Sequence, residues 1–195
     1  MEIEPRHATN WYILGQLLMQ LKEYEESTEA FKRSIESETS DQYSRANSWY
    51  FLGDSLNVLG RMDEAIEAFK RNVELLPQNG TAYFRIGSIL KGQRRHTEAL
   101  EFFRKAVEIQ PANTKAWLYM GATLVELELF GEALGPIEQV LQTEPENAGA
   151  LFFHGMIHIS RGEKKEAKDL MKRAKKNAKE VEGLPEMIEH MLKSL

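Results

Sequence analysis

The sequence contains no cysteine. This absence excludes disulfide frameworks, thiolate zinc sites and cysteine nucleophiles, and it leaves the redox compartment undetermined. There is also no apolar run of the roughly 20 residues that span a bilayer, since the most apolar stretches, Ala116–Val125 and Gly149–Ile159, are much shorter. The first residues, Met1–Pro5, are acidic where a secretory signal would be basic and then apolar. We therefore expect a cytoplasmic protein with no membrane span.

Sequence motifs of catalysis are missing as well. No glycine-rich phosphate loop of the Walker or dinucleotide type is present, and no Gly-x-Ser-x-Gly elbow presents a serine nucleophile. The abundant glutamates fall on the polar faces of predicted helices, where pairs such as Glu67 and Arg71 support the helix. Because no set of residues converges on a reaction, we expect a non-enzymatic protein with no catalytic residue and no cofactor.

The overall composition is that of a folded globular chain. Of the 195 residues, 42% are apolar and 28% are charged, and the formal net charge is −5. Both fractions are close to the averages of globular domains, so the chain has enough apolar residues to bury a core and wholesale disorder is not expected.

The dominant feature of the sequence is an internal repeat. Five glycines recur along the chain, the last four at equal intervals and the first at a slightly longer one, namely Gly15, Gly53, Gly87, Gly121 and Gly155. Each glycine is followed twelve positions later by a small residue and sixteen positions later by a large apolar one, and an aromatic residue or a leucine precedes it by four. Prolines close the second, third and fourth copies at Pro77, Pro111 and Pro145. Features locked to one period indicate a repeat architecture.

The pattern Trp-x-x-Leu-Gly-x-x-Leu, then Ala-x-x-x-Phe, then Pro, resembles the tetratricopeptide repeat (TPR) family, whose period of about 34 residues is also the interval between the last four glycines. The first copy reads Trp11-x-x-Leu14-Gly15-x-x-Leu18, and the most divergent, the fifth, reads Leu151-x-x-His154-Gly155-x-x-His158. The resemblance covers nearly the whole chain, with copies at about 8–41, 46–79, 80–113, 114–147 and 148–181.

The resemblance implies an all-α fold, a right-handed α-solenoid or superhelix of about five TPR hairpins. The helical period agrees, because in each copy the residues four before, one before, at and three after the glycine lie on one stripe of a helix. A single hairpin cannot bury both of its apolar faces, so neighbouring copies must stack. We expect one TPR domain over residues 8–195, preceded by a tail at residues 1–7.

Three local features depart from the regular repeat. Copy one carries four extra residues, Gln42–Arg45, which predict an extended helix or a longer turn after a cap at Ser40–Asp41. In copy four, Pro136 falls inside the second helix and predicts a kink there. After Pro185, apolar residues spaced i, i+3, i+4 and i+7 predict a capping helix at about 185–195 that covers the apolar face of copy five.

In the TPR family the first helices of the hairpins line the concave side, so the resemblance implies a groove there. We expect this groove to bind a peptide or a partner protein through aromatic, amide and charged side chains. The predicted groove residues are Tyr12, Gln16, Asn47, Tyr50, Asp54, Asn57, Phe84, Arg85, Ser88, Lys115, Tyr119 and Phe152. The aromatic residues three before each glycine either line the groove or pack between adjacent first helices, and the sequence leaves both alternatives open.

One specialised use of the fold is disfavoured. Chaperone-binding TPR domains grip an acidic chain terminus with a clamp that begins with a lysine and an asparagine, and here those places hold, for example, Tyr50 and Asp54. The clamp is therefore absent, although Arg85 and Lys115 can still contact an isolated carboxylate. The resemblance thus implies a protein–protein interaction scaffold without the carboxylate clamp. The alternative is a self-association module that assembles homo-oligomers through the repeat ends or the groove.

Two further clusters carry weaker signals. A stripe of lysines follows copy five, consisting of Lys164, Lys168, Lys172, Lys175 and Lys179. We expect a solvated helix face and no nucleic-acid binding, because no aromatic residues interleave with the lysines for single-strand stacking. An acidic partner, nucleic acid and an anionic membrane remain the alternatives. His154 and His158 are four apart and would need Glu186 and His190 to complete a zinc site. Since both histidines occupy core-facing repeat positions, we expect partly buried imidazoles and no metal.

Overall fold

The structure is a computed structural model that describes residues 7–38, 40–178 and 183–194. These residues form eleven α-helices: α1 Ala8–Gln20, α2 Tyr24–Glu36, α3 Gln42–Val58, α4 Met62–Leu75, α5 Gly80–Gly92, α6 His96–Ile109, α7 Thr114–Glu126, α8 Phe130–Thr143, α9 Ala148–Ser160, α10 Lys164–Asn177 and α11 Leu184–Ser194. The helices divide after Gln93 into two compact units, with α1 to α5 in unit 1 and α6 to α11 in unit 2. Most of the predicted N-terminal tail, Lys179 of the lysine stripe and Leu195 of the predicted capping helix lie outside the described residues.

Side-chain caps fix where the first helix of most copies begins. Asn79, Asn113 and Asn147 each accept a hydrogen bond at the side-chain oxygen from the backbone N–H three residues on. Such a cap satisfies an N–H group that has no partner within its helix. The carboxylate of Asp41 caps α3 in the same way, so α3 begins at Gln42 and has 17 residues where α1 has 13. The four extra residues of copy one therefore extend this helix, which was one of the two predicted alternatives.

Each turn inside a copy contains a residue with positive φ, seven positions after the repeat glycine. This residue is Gly60 or Gly162 in two copies, with φ of 75° and 77°, and Lys22, Arg94 or Glu128 in the others, with φ of 64°, 61° and 59°. The left-handed region suits glycine because a Cβ crowds the backbone there. The sequence predicted helical hairpins, but it did not reveal that three of their turns hold a non-glycine residue in this conformation.

In unit 1 the repeat glycines give a phenylalanine of the next helix close access to the backbone. A Cβ placed on Gly15 would lie 2.7 Å from Cε1 of Phe31, and one on Gly53 would lie 2.9 Å from Cε1 of Phe69. Both phenylalanines are fully buried. Helix α2 packs on α3 and α4 packs on α5, so successive copies stack as the repeat predicts.

Buried polar side chains also join the helices of unit 1. The hydroxyl oxygens of Ser27 and Ser55 are 2.8 Å apart, as are those of Ser34 and Ser48, which links α2 to α3 at two levels. The side-chain amide of Asn72 donates a 2.8 Å hydrogen bond to a backbone carbonyl of α3. All five side chains are fully buried, so these bonds satisfy groups that would otherwise destabilise the core.

In unit 2 the last helix folds back onto the copy before it. Leu184 and Ile188 of α11 are buried in one cluster with Phe152 of α9 and Met171 of α10. The predicted capping helix is therefore confirmed over its described residues. Helix α8 runs through the buried Pro136 as a single segment, and the predicted kink stays a prediction. No helix in the described part of the chain is both long and apolar enough to cross a membrane.

Candidate functional site

The predicted aromatic residues of α1 and α3 pack between helices and remain partly exposed. The Tyr12 ring lies 5.7 Å from that of Phe51 and 6.1 Å from that of Phe31, measured between ring centroids. The Tyr50 ring lies 5.4 Å from that of Phe51 and 5.5 Å from that of Phe69. Both tyrosines are half-buried. These two residues thus combine the alternatives that the sequence left open, because each supports the packing and presents part of its surface.

We call seven of the predicted groove residues, which lie on α1, α3 and α5, the first-helix surface of unit 1. Its members are Tyr12, Gln16, Tyr50, Asp54, Asn57, Arg85 and Ser88, all of them half-buried. Within it, the side-chain amide of Gln16 donates a 3.0 Å hydrogen bond to the hydroxyl of Tyr12. The hydroxyl of Ser88 donates a 2.9 Å bond to the backbone carbonyl of Phe84. These bonds restrict the side chains before any partner arrives, which lowers the entropy that binding must overcome.

An ion pair joins α3 to α5 across this surface. Nε of Arg85 lies 3.2 Å from Oδ1 of Asp54, but Nε has no aligned hydrogen-bond partner in the described residues, so the contact is chiefly Coulombic. The Asp54 side chain is 17% exposed and that of Arg85 is 43% exposed. The pair therefore offers a partner mainly its positive member.

The same pair sets the ionisation of its neighbours. Burial raises the pKa of Asp54 above its usual 3.8, although Arg85 acts in the opposite direction. Burial and then the charge of Asp54 raise the pKa of Tyr50, against the effect of Arg85. The phenol of Tyr50 is consequently neutral at physiological pH and keeps its proton for hydrogen bonding.

A cavity of about 350 Å³ opens beside this ion pair. Its lining residues are Asn57, Met62, Arg85, Ser88, Ile89, Gly92 and Gln93. Met62 and Ile89 give it an apolar part, and the amides, the hydroxyl and the guanidinium give it polar groups. Gly92 contributes only backbone, and a Cβ placed there would meet no atom within 4 Å. A volume of this size lies at the lower end of the range for ligand pockets.

A second cavity lies further along the first-helix surface. It has a volume of about 310 Å³ and is lined by Gln16, Met19, Gln20 and Phe51, so it combines two amides with an aromatic ring and a thioether. Unit 1 therefore carries two concave sites that both join apolar surface to amide groups.

The remaining predicted groove residues divide between the two units. Asn47 on α3 and Phe84 on α5 are half-buried in unit 1. Lys115 and Tyr119 lie on α7 in unit 2, where both are exposed, and the Tyr119 ring lies 5.8 Å from that of Phe103. The side chains of Lys115 and Tyr119 are therefore accessible to a partner.

Phe152 has a different environment. Only 3% of it is exposed, because it shares a core cluster with Met171 and with Leu184 and Ile188 of the capping helix. Its position in the repeat is equivalent to those of Tyr12 and Tyr50, which lie in copies without such a cap. We therefore do not include Phe152 in the surface proposed below.

Three side chains that line the larger cavity were not predicted from the sequence, namely those of Met62, Ile89 and Gln93. Met62 is the first residue of α4 and Gln93 follows the last residue of α5, so both lie at helix ends outside the face from which the groove was predicted. One signal was present: the residue nine positions after the repeat glycine is bulky in several copies, as at Met62 and Phe130.

A separate polar cluster lies on α9 in unit 2. Nε2 of His154 lies 3.3 Å from Nε2 of His158, and Nδ1 of His158 lies 2.5 Å from a carboxylate oxygen of Glu163. Burial and then the neighbouring His158 lower the pKa of His154 below its usual 6.5. In the described residues, no group of three histidine, aspartate or glutamate side chains is placed to hold a metal ion together.

Comparison with protein families gives two matches to sequence models described as tetratricopeptide repeat. One match covers residues 8–41 and the other residues 44–112, so together they span more than half of the chain. None of the curated protein sequences matches the chain.

Several solved structures have a similar fold. The crystal structure of YrrB, described as a TPR protein with an unusual peptide-binding site, is 21% identical, has a TM-score of 0.82, and the match covers 98% of this chain and 94% of YrrB. A fragment of MamA from Desulfovibrio magneticus RS-1, described as MamA 41-end, is 18% identical with a TM-score of 0.78, and the match covers 94% of this chain and 100% of the fragment. PilF of Pseudomonas aeruginosa is 17% identical with a TM-score of 0.79, covering 97% of this chain and 84% of PilF. These likenesses confirm the predicted fold class.

Proposed function

Because the chain belongs to the tetratricopeptide repeat family, we propose that it is a non-enzymatic scaffold that binds a peptide segment on the first-helix surface of unit 1. The observation that carries the proposal is the cavity of about 350 Å³ beside the Asp54–Arg85 ion pair. The likeness to YrrB, which is described as having a peptide-binding site, supports it.

The lining of this cavity matches the chemistry of an extended peptide. In the described residues, the side-chain amide of Asn57 makes no hydrogen bond, and an amide has a donor and an acceptor to offer a peptide backbone. Met62 and Ile89 provide apolar surface for one side chain of the peptide. The exposed guanidinium of Arg85 favours a nearby carboxylate. We infer a peptide in which an apolar residue lies next to an acidic one.

The first experiment identifies such a peptide and tests where it binds. Linear peptides are selected on the purified chain from a phage-displayed library, and their affinity is measured by fluorescence polarisation. Asn57→Ala removes the free amide and is expected to weaken binding about 3- to 10-fold, the effect of one hydrogen bond. Gly92→Trp fills the cavity and is expected to abolish binding of the selected peptides.

A matched control separates blocking from unfolding. Gly92 and Gly131 are both helical glycines at which an added Cβ meets no atom within 4 Å, but Gly131 lies on α8 in unit 2. Gly131→Trp is therefore expected to retain full affinity. Binding that survives both Gly92→Trp and Asn57→Ala would refute a peptide site at this cavity.

Lys115 and Tyr119 form a second, smaller part of the proposal. Both are exposed on α7 in unit 2 and occupy first-helix positions of the repeat. We propose that they contact a partner protein independently of the cavity in unit 1. Lys115→Ala combined with Tyr119→Ala should then weaken capture of a natural partner while leaving the selected short peptides bound.

Self-association is the second candidate function, and one feature of α1 favours it. Ile13, Leu17 and Leu21 are 47%, 51% and 68% exposed, and their spacing of four residues places them on one face. Exposed apolar stripes of this kind commonly mark interfaces. A second copy of the chain would remove the stripe from water.

Light scattering coupled to size-exclusion chromatography tests this candidate. Self-association predicts a molar mass above that of a single chain, rising with concentration and returning to the monomer value in the Leu17→Gln, Leu21→Gln double variant. A monomer mass at every concentration would refute self-association and leave the peptide site unaffected.

The single-domain organisation of residues 8–195 and the cytoplasmic location stay predictions.

A further inference from the structure

The fifth repeat differs from the other four at two positions that normally hold apolar side chains. The residue before the repeat glycine and the residue three after it are leucine, isoleucine or methionine in the first four copies. In the fifth copy they are His154 and His158. Two imidazoles at partly buried apolar positions lose hydration, and that cost calls for a compensating interaction.

The geometry of the two rings fits a shared metal ion. One helical turn separates the residues, and the Nε2 atoms lie 3.3 Å apart. A tetrahedral ion with metal–nitrogen bonds of 2.0–2.1 Å holds two nitrogen ligands about 3.3–3.4 Å apart. The observed separation therefore equals that of two ligands on one ion, and without an ion it allows an Nε2–H of one ring to donate a hydrogen bond to Nε2 of the other.

Glu163 fixes the His158 ring in the form that binds metals. One of its carboxylate oxygens lies 2.5 Å from Nδ1 of His158. Nδ1 therefore carries the proton and donates a hydrogen bond to the carboxylate. The lone pair of Nε2 is then left facing His154. A carboxylate that accepts the second N–H of a ligating histidine is the usual outer support of zinc sites.

Binding of an ion at Nε2 also fixes the tautomer of His154. With an ion on Nε2, the neutral ring carries its proton on Nδ1, which is buried without a hydrogen-bond partner in the described residues. The bond to the ion must therefore outweigh one unpaired N–H group. Both rings are half-buried, so an ion can reach them from solvent.

We propose that His154 and His158 form a two-histidine site for a late first-row divalent ion, Zn²⁺ or Cu²⁺, with water completing its coordination. Imidazole nitrogen suits these ions, and the general order of affinities places Cu²⁺ above Zn²⁺. Mg²⁺ prefers oxygen ligands and is expected not to bind. Glu163 acts as a positioning residue that holds the ring of His158.

Isothermal titration calorimetry on the full chain tests the proposal. After removal of metal with EDTA, the chain is titrated in turn with CuCl₂, ZnCl₂ and MgCl₂ in a buffer that does not bind them. The expected result is one equivalent of Cu²⁺ or Zn²⁺, with Cu²⁺ bound more tightly, and no heat from Mg²⁺. Long-range proton–nitrogen NMR spectra should show that Zn²⁺ changes the nitrogen chemical shift of Nε2 in both histidines.

Variants establish whether these two rings are the ligands. His158→Gln and His154→Leu, the second of which restores an apolar repeat residue, should each weaken Zn²⁺ binding more than about tenfold. Glu163→Gln should weaken it about tenfold, the usual effect of losing an outer carboxylate. His190→Gln removes an exposed histidine of α11 and should change nothing.

Two results would overturn the site. One is the absence of any Zn²⁺ or Cu²⁺ binding to the wild-type chain, and the other is binding that keeps its affinity in both His154→Leu and His158→Gln. Circular dichroism confirms that each variant is folded before titration. If one variant fails to fold, the other still decides the result.

Discussion

Nε of Arg85 on α5 lies 3.2 Å from Oδ1 of Asp54 on α3, and this ion pair spans two first helices of unit 1. The carboxylate is the more buried member, with 17% of its side chain exposed against 43% for the guanidinium. The contact thus links the packing of two repeats to the charge that the first-helix surface presents.

The pH dependence of stability should reveal the burial of Asp54. Its pKa is raised in the folded state above the usual 3.8, because burial outweighs the attraction of Arg85. The folded chain then binds a proton more tightly than the unfolded chain, so this group contributes stability below pH 3.8 that is lost as pH rises through the folded pKa. We expect urea denaturation at a series of pH values to show this loss. As the pH rises from 3.8 through the folded pKa of Asp54, the free energy of unfolding of the wild type should fall relative to that of Asp54→Asn. If the free energy of unfolding of the wild type instead rises with pH relative to that of Asp54→Asn, Arg85 dominates and lowers the pKa of Asp54.

The serine pair between α2 and α3 should respond asymmetrically to substitution. The Ser55 hydroxyl donates to the carbonyl of Phe51 at 3.0 Å, so the proton between the two serines comes from Ser27. Ser55→Ala would leave that buried hydroxyl without an acceptor and should reduce the free energy of unfolding by about 1–3 kcal/mol. Ser27→Ala should cost less than half as much, because alanine occupies this repeat position in the later copies. Urea denaturation of the two variants measures both values, and equal costs would contradict this assignment of donor and acceptor.

The repeat glycines should differ in their tolerance of alanine. At Gly15 the new Cβ would lie 2.7 Å from the Phe31 ring, which is rigid and is held by Phe51 at 5.9 Å. At Gly155 the nearest atom is the flexible Met171 methyl at 3.0 Å. Gly15→Ala should therefore lower the free energy of unfolding by about 1–3 kcal/mol, and Gly155→Ala by clearly less. Thermal and urea unfolding of both variants provide the comparison, and a larger loss for Gly155→Ala would show that the methionine cannot move aside.

Parts of the molecule that follow the repeat period were predictable from the sequence. Gly15 and Phe31, sixteen residues apart, meet as the stripes require, and the capping helix follows from the spacing of Ile188 with its apolar neighbours. Side-chain pairing was not predictable, because no spacing rule brings Asp54 of one copy to Arg85 of the next. The sequence left open whether Phe152 lines the groove or packs, and its burial could not be decided from the repeat alone because it shares a cluster with the capping helix.

The turn residues illustrate the same limit at the level of the backbone. Seven positions after the repeat glycine the chain adopts positive φ whether or not glycine is present, because the turn geometry of the hairpin imposes it. Sequence inspection recognises such a turn only where glycine marks it, as at Gly60. At Arg94 and Glu128 the tertiary structure overrides the local preference.

Relief of this strain should stabilise unit 2. Glu128 has φ of 59°, a conformation that costs a non-glycine residue about 1 kcal/mol. Glu128→Gly should raise the melting temperature, although the greater freedom of the unfolded chain offsets part of the gain. The reciprocal change, Gly162→Ala at φ of 77°, should lower it. Differential scanning calorimetry measures both shifts, and a fall in melting temperature for Glu128→Gly would show that the side chain stabilises the turn by more than its strain costs.

The most direct test of peptide binding by unit 1 is chemical-shift mapping on the isotope-labelled chain. A peptide selected on the purified protein is titrated in while backbone and side-chain amide signals are recorded. The account predicts that the largest changes occur at the Asn57 side-chain amide and at the backbone amides of Asp54, Arg85 and Ser88. Changes confined to other surfaces, such as the lysine-rich face of α10, with Asn57 and Arg85 unaffected, would contradict it.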